Sequence, residues 1–262
     1  MSAAFHRAIA VSKPNAHRTM WTWLALIYGL LIHVVLAVLL IKTDALAKVK
    51  EKIAVDKVIS RARVMVMQRY YEWTDYSIPH QSVVFLGDSI THGIAADAVT
   101  PCAVNYGIQS ARTDDLLKAI PSYKSLNHAR AIFLAIGIND LGEQKQIGLN
   151  ERFGEAIRLL PRDTPLIWSA MMPTGTKETG IDLMAIREGN EAIKSLCAKH
   201  ARCTFVNTWP LFADANSQIF RKLYLDDGLH LSPDGYIVWQ TALRSALRGV
   251  FSNGAPSSSC KA

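Results

Sequence analysis

The stretch Val83-Val84-Phe85-Leu86-Gly87-Asp88-Ser89-Ile90-Thr91 decides the fold. Four apolar residues in a row describe a strand buried on both faces. Gly-Asp-Ser at its end turns the chain and sets the Ser89 hydroxyl at a strand-to-helix turn. Far downstream stands Asp227-Gly228-Leu229-His230. A histidine three residues after an aspartate brings a base and its orienting carboxylate out of one short loop. With Ser89 they make a nucleophile, a base and an orienter, the minimum set of a serine hydrolase.

Strand and helix patterns alternate on either side of that stretch. Strands are expected at Val83–Leu86, Ala103–Tyr106, Ala131–Ile136, Leu166–Ala170 and Thr204–Asn207. Helices are expected near Thr113–Ile120, Asn150–Leu160, Leu183–His200 and Pro233–Phe251. Ser232 suits the N-cap of the last helix and Pro233 its first turn. Trp239, Leu243, Ala246 and Val250 recur along it at helical spacing and read as core. Apolar strands separated by helices imply a parallel sheet covered on both faces, which binds ligands at the carboxyl ends of its strands.

Two further pieces follow strand ends: Gly107 in Asn105-Tyr106-Gly107, and Asn139 in Gly137-Ile138-Asn139-Asp140. With Gly87-Asp88-Ser89-Ile90 and Asp227-Gly228-Leu229-His230 they make four short blocks in order. This order resembles the SGNH, or GDSL-type, hydrolase family, over roughly residues 80 to 250; Ile90 stands where many members carry leucine. The resemblance implies a three-layer, doubly wound α/β fold of the flavodoxin-like kind with a five-stranded parallel sheet. It also implies a serine esterase that forms an acyl-enzyme on Ser89. His230 would be the base, and Asp227, rather than its neighbour Asp226, the orienter. The oxyanion donors implied are the backbone N–H groups of Ser89 and Gly107 and the side-chain amide of Asn139. Asp88 and Asp140 are read as structural and His92 as a rim residue. Met171-Met172-Pro173-Thr174 and Trp209-Pro210-Leu211 suit an acyl pocket and plain packing equally. The same triad would also serve an acyltransferase acting on envelope glycans. A non-catalytic carbohydrate-binding module is a third reading, disfavoured by the intact set of residues. The chemistry needs no cofactor and no metal, and the partner expected is a small-molecule or glycan acyl ester.

The chain carries 29 basic and 22 acidic residues, a net charge of +7. No Lys/Arg-rich block is interleaved with aromatics, so nucleic-acid binding has little support and the charge reads as a basic surface. The 262 residues leave room for one catalytic domain and an N-terminal appendage. Of the four cysteines, Cys197 and Cys203 are close enough to bridge in an oxidising compartment; two free thiols are the alternative.

Trp21 to Ile41 contains no Asp, Glu, Lys or Arg. As a helix at about 1.5 Å per residue it would measure about 31 Å, enough to span a bilayer core. It reads as an uncleaved signal anchor after an N-terminal tail (1–20). Its rival is a signal peptide cut after Ala45-Leu46-Ala47, although the apolar run exceeds the usual 7–15 residues. Residues 42–78 read as a helical spacer, 79–251 as the hydrolase domain and 252–262 as a disordered tail. Arg7, Lys13 and Arg18 precede the run and Lys42, Lys48, Lys50 and Lys52 follow it, a slight bias against an exported domain, although long domains cross largely regardless of charge. The family's frequent extracytoplasmic role and the Cys197/Cys203 spacing point to a single-pass protein with a periplasmic catalytic domain.

Overall fold

The computed structural model describes residues 16–42, 45–142 and 147–252. Most of the expected terminal tails therefore lies outside the described residues. The chain divides into two compact units, Met1–Val58 and Ile59–Ala262.

The first unit holds α1 (Ala16–Lys42) and the start of α2 (Ala45–Thr74). Within α1, Met20–Leu39 has a mean hydropathy of 2.3 and none of it is buried. By length and composition it can cross a membrane, and a signal sequence would have the same form.

The second unit is built on five strands: β1 (Val83–Gly87), β2 (Ala103–Gly107), β3 (Ala131–Ala135), β4 (Leu166–Ser169) and β5 (Cys203–Val206). All neighbours are parallel, in the order β2-β1-β3-β4-β5. The five strands stand where the apolar runs place them, with no end shifted by more than one residue. The longer helices do likewise: α4 (Thr113–Ala119), α6 (Leu149–Leu159), α8 (Leu183–Ala198) and α10 (Pro233–Phe251). Between them lie four short turns of helix, α3 (Ser89–His92), α5 (Ile138–Gly142), α7 (Thr176–Thr179) and α9 (Trp209–Phe212).

Adjacent residues on a strand point to opposite faces. Trp168 and Ser169 are such a pair on β4. Phe153 of α6 meets Trp168 edge-on, with ring centroids 5.6 Å apart. Trp239 of α10 donates its Nε1–H to Ser169 Oγ at 3.1 Å. Helices thus cover both faces, and Trp239 and Leu243 are buried as the periodicity requires. Every residue of β1 is buried, and Phe85 stacks on Phe133 of β3 at 4.4 Å. Cys197 and Cys203 are joined as a disulfide, their Cα atoms 4.9 Å apart, within the ordinary range for such a link.

The register brings three strand ends level, Gly87 opposite both Gly107 and Ala135. The loops that follow β1, β2 and β3 therefore leave one edge of the sheet together. The strand order reverses between β1 and β3, the switch point at which sheets of this kind bind ligands. The second half of α2 belongs to this unit. Val64 is wholly buried, Tyr71 stacks on Tyr106 at 4.8 Å, and Tyr71 Oη donates to the Gly107 carbonyl at 3.0 Å.

Candidate active site

Ser89 is the first residue of α3. Asp88 caps that turn: its Oδ1 accepts the Ile90 N–H at 3.0 Å. Gly87 is required just before, because a Cβ there would collide with Thr91 Oγ1 and the Ala135 carbonyl. Burial pushes the Asp88 carboxyl up to about 7, aided by the charge of Asp140; the Ile90 N–H and His230 oppose the rise.

His230 Nε2 lies 2.9 Å from Ser89 Oγ, and His230 Nδ1 lies 2.6 Å from Asp227 Oδ2. The other Asp227 oxygen, Oδ1, accepts the N–H groups of Leu229 and His230, both at 2.9 Å. Burial acts to raise the Asp227 carboxyl, but the His230 ring and these two N–H groups outweigh it and hold it below its ordinary value. Asp226 makes no such contact; its carbonyl accepts from Arg221 at 3.5 Å. The loop is closed by Leu225 N–H on the His230 carbonyl at 2.8 Å and tied to its neighbour by Gly175 N–H on the Gly228 carbonyl at 2.8 Å. A hydroxyl, an imidazole and a carboxylate in line are the geometry for proton removal from Ser89.

Asn139, at the start of α5, lines the same cleft of about 580 Å³ as Ser89 and His230. One Nδ2 hydrogen goes to the Ala111 carbonyl at 2.8 Å. Next to it, buried Asp140 accepts Thr113 N–H and Oγ1–H, each at 3.0 Å, and Arg152 Nη2–H at 3.2 Å. Asp140 thus pins the turn that carries Asn139, the structural part expected of it.

Gly107 departs from expectation. Its N–H donates to Asn105 Oδ1 at 2.9 Å, on the side of β2 away from β1. It does not line the cleft that holds Ser89. Its lack of a side chain serves packing instead, since a Cβ would strike the backbone of His92. The residues that reach the cleft from this loop are Gln109 and Ser110, the latter held at φ 62°. Among the described residues no acceptor meets the Ser110 N–H. A backbone donor leaves no side-chain signature, so the sequence offered no signal for it. His92 lines the rim, its Nδ1 2.9 Å from the Gly107 carbonyl. Met171 and Met172 are buried around a small cavity shared with Asp88 and Ile90, not in the cleft that holds Ser89, and Trp209 lines a separate cleft with Arg187. Leu225, Leu229 and Leu231 form the apolar wall beside Ser89 instead.

The model of the GDSL-like lipase/acylhydrolase family matches residues 85–238, more than half of the chain. The chain belongs to that family. It is an enzyme of the ester-hydrolase class, an SGNH-type serine hydrolase by fold. No curated protein sequence matches it. Among solved structures it is similar to a Streptococcus pneumoniae protein described as a platelet activating factor. That match has 24% identity and a TM-score of 0.68, over 75% of this chain and 98% of that one. It is similar to the lipase/acylhydrolase of Enterococcus faecalis at 17% identity and TM-score 0.57, over 64% of this chain and 96% of that one. It is also similar to the catalytic domain of Streptococcus pneumoniae peptidoglycan O-acetyltransferase A, at 14% identity and TM-score 0.54, over 66% and 96%. At these identities the likeness is one of fold.

Proposed function

We propose that this chain is a membrane-anchored serine esterase that hydrolyses short acyl esters, acetyl among them, through an acyl-enzyme on Ser89. The single observation that carries the reading is the continuous chain from Ser89 Oγ through His230 to Asp227. His230 takes the Ser89 proton as Oγ attacks the ester carbonyl, and Asp227 holds the ring and stabilises the imidazolium. The proton passes to the departing alcohol. Water, deprotonated by the same ring, then frees Ser89. The oxyanion is met by the N–H of Ser89, the second Nδ2 hydrogen of Asn139 and, in place of Gly107, the N–H of Ser110.

The triad is open to solvent, with His230 and Asp227 side chains 37% and 48% exposed. That openness supports hydrolysis, since water reaches the acyl-enzyme freely. The organisation that accompanies this reading is a tail (1–20), an anchor over 21–41, a helical spacer and a hydrolase domain. The compact unit from Ile59 supports counting the second half of the spacer with the domain. The Cys197–Cys203 link supports an extracytoplasmic, oxidising location.

An ester panel with acyl length varied tests the reading, with glycan acceptors present and absent. Acyl release to water, fastest for acetyl and falling with chain length, is the expected result. Transfer to the glycan in preference to water would make the enzyme an acyltransferase.

A further inference from the structure

We propose that Arg63 makes this enzyme select esters that carry an anionic group beside the acyl ester; the proposal rests on the esterase reading of Ser89. Arg63 belongs to α2 and lies outside the stretch that matches the family. It nevertheless lines the cleft that holds Ser89, His230 and Asn139. Its position is fixed from both sides. Arg61 forms an ion pair with Asp115, Val64 is wholly buried, and Gln68 Nε2 donates to the Asp115 carbonyl at 2.7 Å.

Among the described residues no carboxylate pairs with Arg63. Its one hydrogen bond runs from Nη1 to the neutral Gln109 Oε1 at 3.1 Å. Several other arginines of this unit meet carboxylates, among them Arg61 with Asp115, Arg69 with Glu72, Arg152 with Asp140 and Arg221 with Glu178. Arg187 and Arg244 bond neutral oxygens, as Arg63 does, but neither lines this cleft. Among the described residues no Asp or Glu lines the cleft, and the other titratable groups that line it are His92, His230 and Tyr236. A guanidinium carries five N–H donors in a planar fork. With one spent on Gln109, four remain, and a guanidinium that lines a cleft can bind a carboxylate or a phosphate bidentately. Gln109 also stands next to Ser110, so an anion held by Arg63 would sit beside the oxyanion donors of the proposed site. A neutral ester gains nothing from this group.

The test uses the full-length chain in detergent and three acetates that share one acyl group: phenyl acetate, para-carboxyphenyl acetate and para-acetoxyphenyl phosphate. The quantity read is kcat/KM for each anionic ester divided by that for phenyl acetate. Arg63→Gln should lower this ratio about tenfold for at least one anion, which identifies whether carboxylate or phosphate is preferred. Arg63→Lys should recover part of the loss, because it keeps the charge but not the fork. The wild-type ratio should shrink as salt rises. Ratios unmoved by Arg63→Gln for both anions would overturn the proposal. A second measurement stands apart from turnover: calorimetric binding of para-carboxyphenyl acetate and para-acetoxyphenyl phosphate to the Ser89→Ala chain. Adding Arg63→Gln should weaken one of the two about tenfold, and unchanged binding of both overturns the proposal. Wild-type protein that hydrolyses none of the three esters would overturn the esterase reading alone, since the binding comparison still reports on Arg63.

Discussion

Asn139 donates one Nδ2 hydrogen to the Ala111 carbonyl at 2.8 Å, which turns the amide so that its second hydrogen is left for the cleft. That second hydrogen has work only when a negative oxygen develops there. Asn139→Ala should therefore lower kcat by about 100- to 1000-fold with a smaller change in KM. Steady-state kinetics on a short ester checks this, and a change confined to KM would make Asn139 a ground-state binding residue.

Ser110 and Gly107 can be told apart by removing one N–H at a time. Building an α-hydroxy acid in at position 110 replaces the N–H by an ester oxygen and leaves the side chain. This should cost about 100- to 1000-fold in kcat. The same replacement at 107 removes only the bond to Asn105 and should act on stability far more than on kcat. Equal losses of kcat at both positions would reject Ser110 as the donor.

Asp88 predicts a pH-dependent stability. Its carboxyl stands at 3.8 unfolded and near 7 in the folded protein, raised first by burial. The folded state therefore holds a proton that the unfolded state has lost between these values. The contribution is fully present below 3.8 and is lost as pH rises through 7. Asp88→Asn keeps the acceptor for Ile90 and removes the charge. Its melting temperature relative to wild type should be higher at about pH 8 than at about pH 4, by a few degrees. A difference that is flat with pH would contradict the account.

The apolar stretch of α1 predicts that full-length protein sediments with membranes and resists a carbonate wash. N-terminal sequencing decides between anchor and signal peptide, and a mature chain starting at Lys48 would show cleavage after Ala47. Protease added to intact spheroplasts should digest the catalytic domain. Survival until the membrane is broken would place it in the cytoplasm and remove the support that the Cys197–Cys203 link gives.

The strands were legible because each is a short, continuous apolar run bounded by polar or turn residues, as at Ala131–Ala135. Ser89, Asp227 and His230 were legible because side-chain chemistry at fixed spacing marks them. The short helices α3, α5, α7 and α9 were not, since four or five residues cannot show a helical period. Ser110 was hidden for a different reason: the group that reaches the cleft is a backbone N–H, and the positive φ that aims it has no mark in a serine codon position. Arg63 was hidden because only tertiary packing carries α2 to a loop some forty-six residues further along the chain.

The central claim is an acyl-enzyme on Ser89, and intact-protein mass spectrometry of full-length protein treated with a fluorophosphonate tests it most directly. One adduct per chain, mapped by peptide sequencing to Ser89 and absent from Ser89→Ala, is the result predicted. A wild-type chain that stays unlabelled, or a label that persists in Ser89→Ala, would contradict the account.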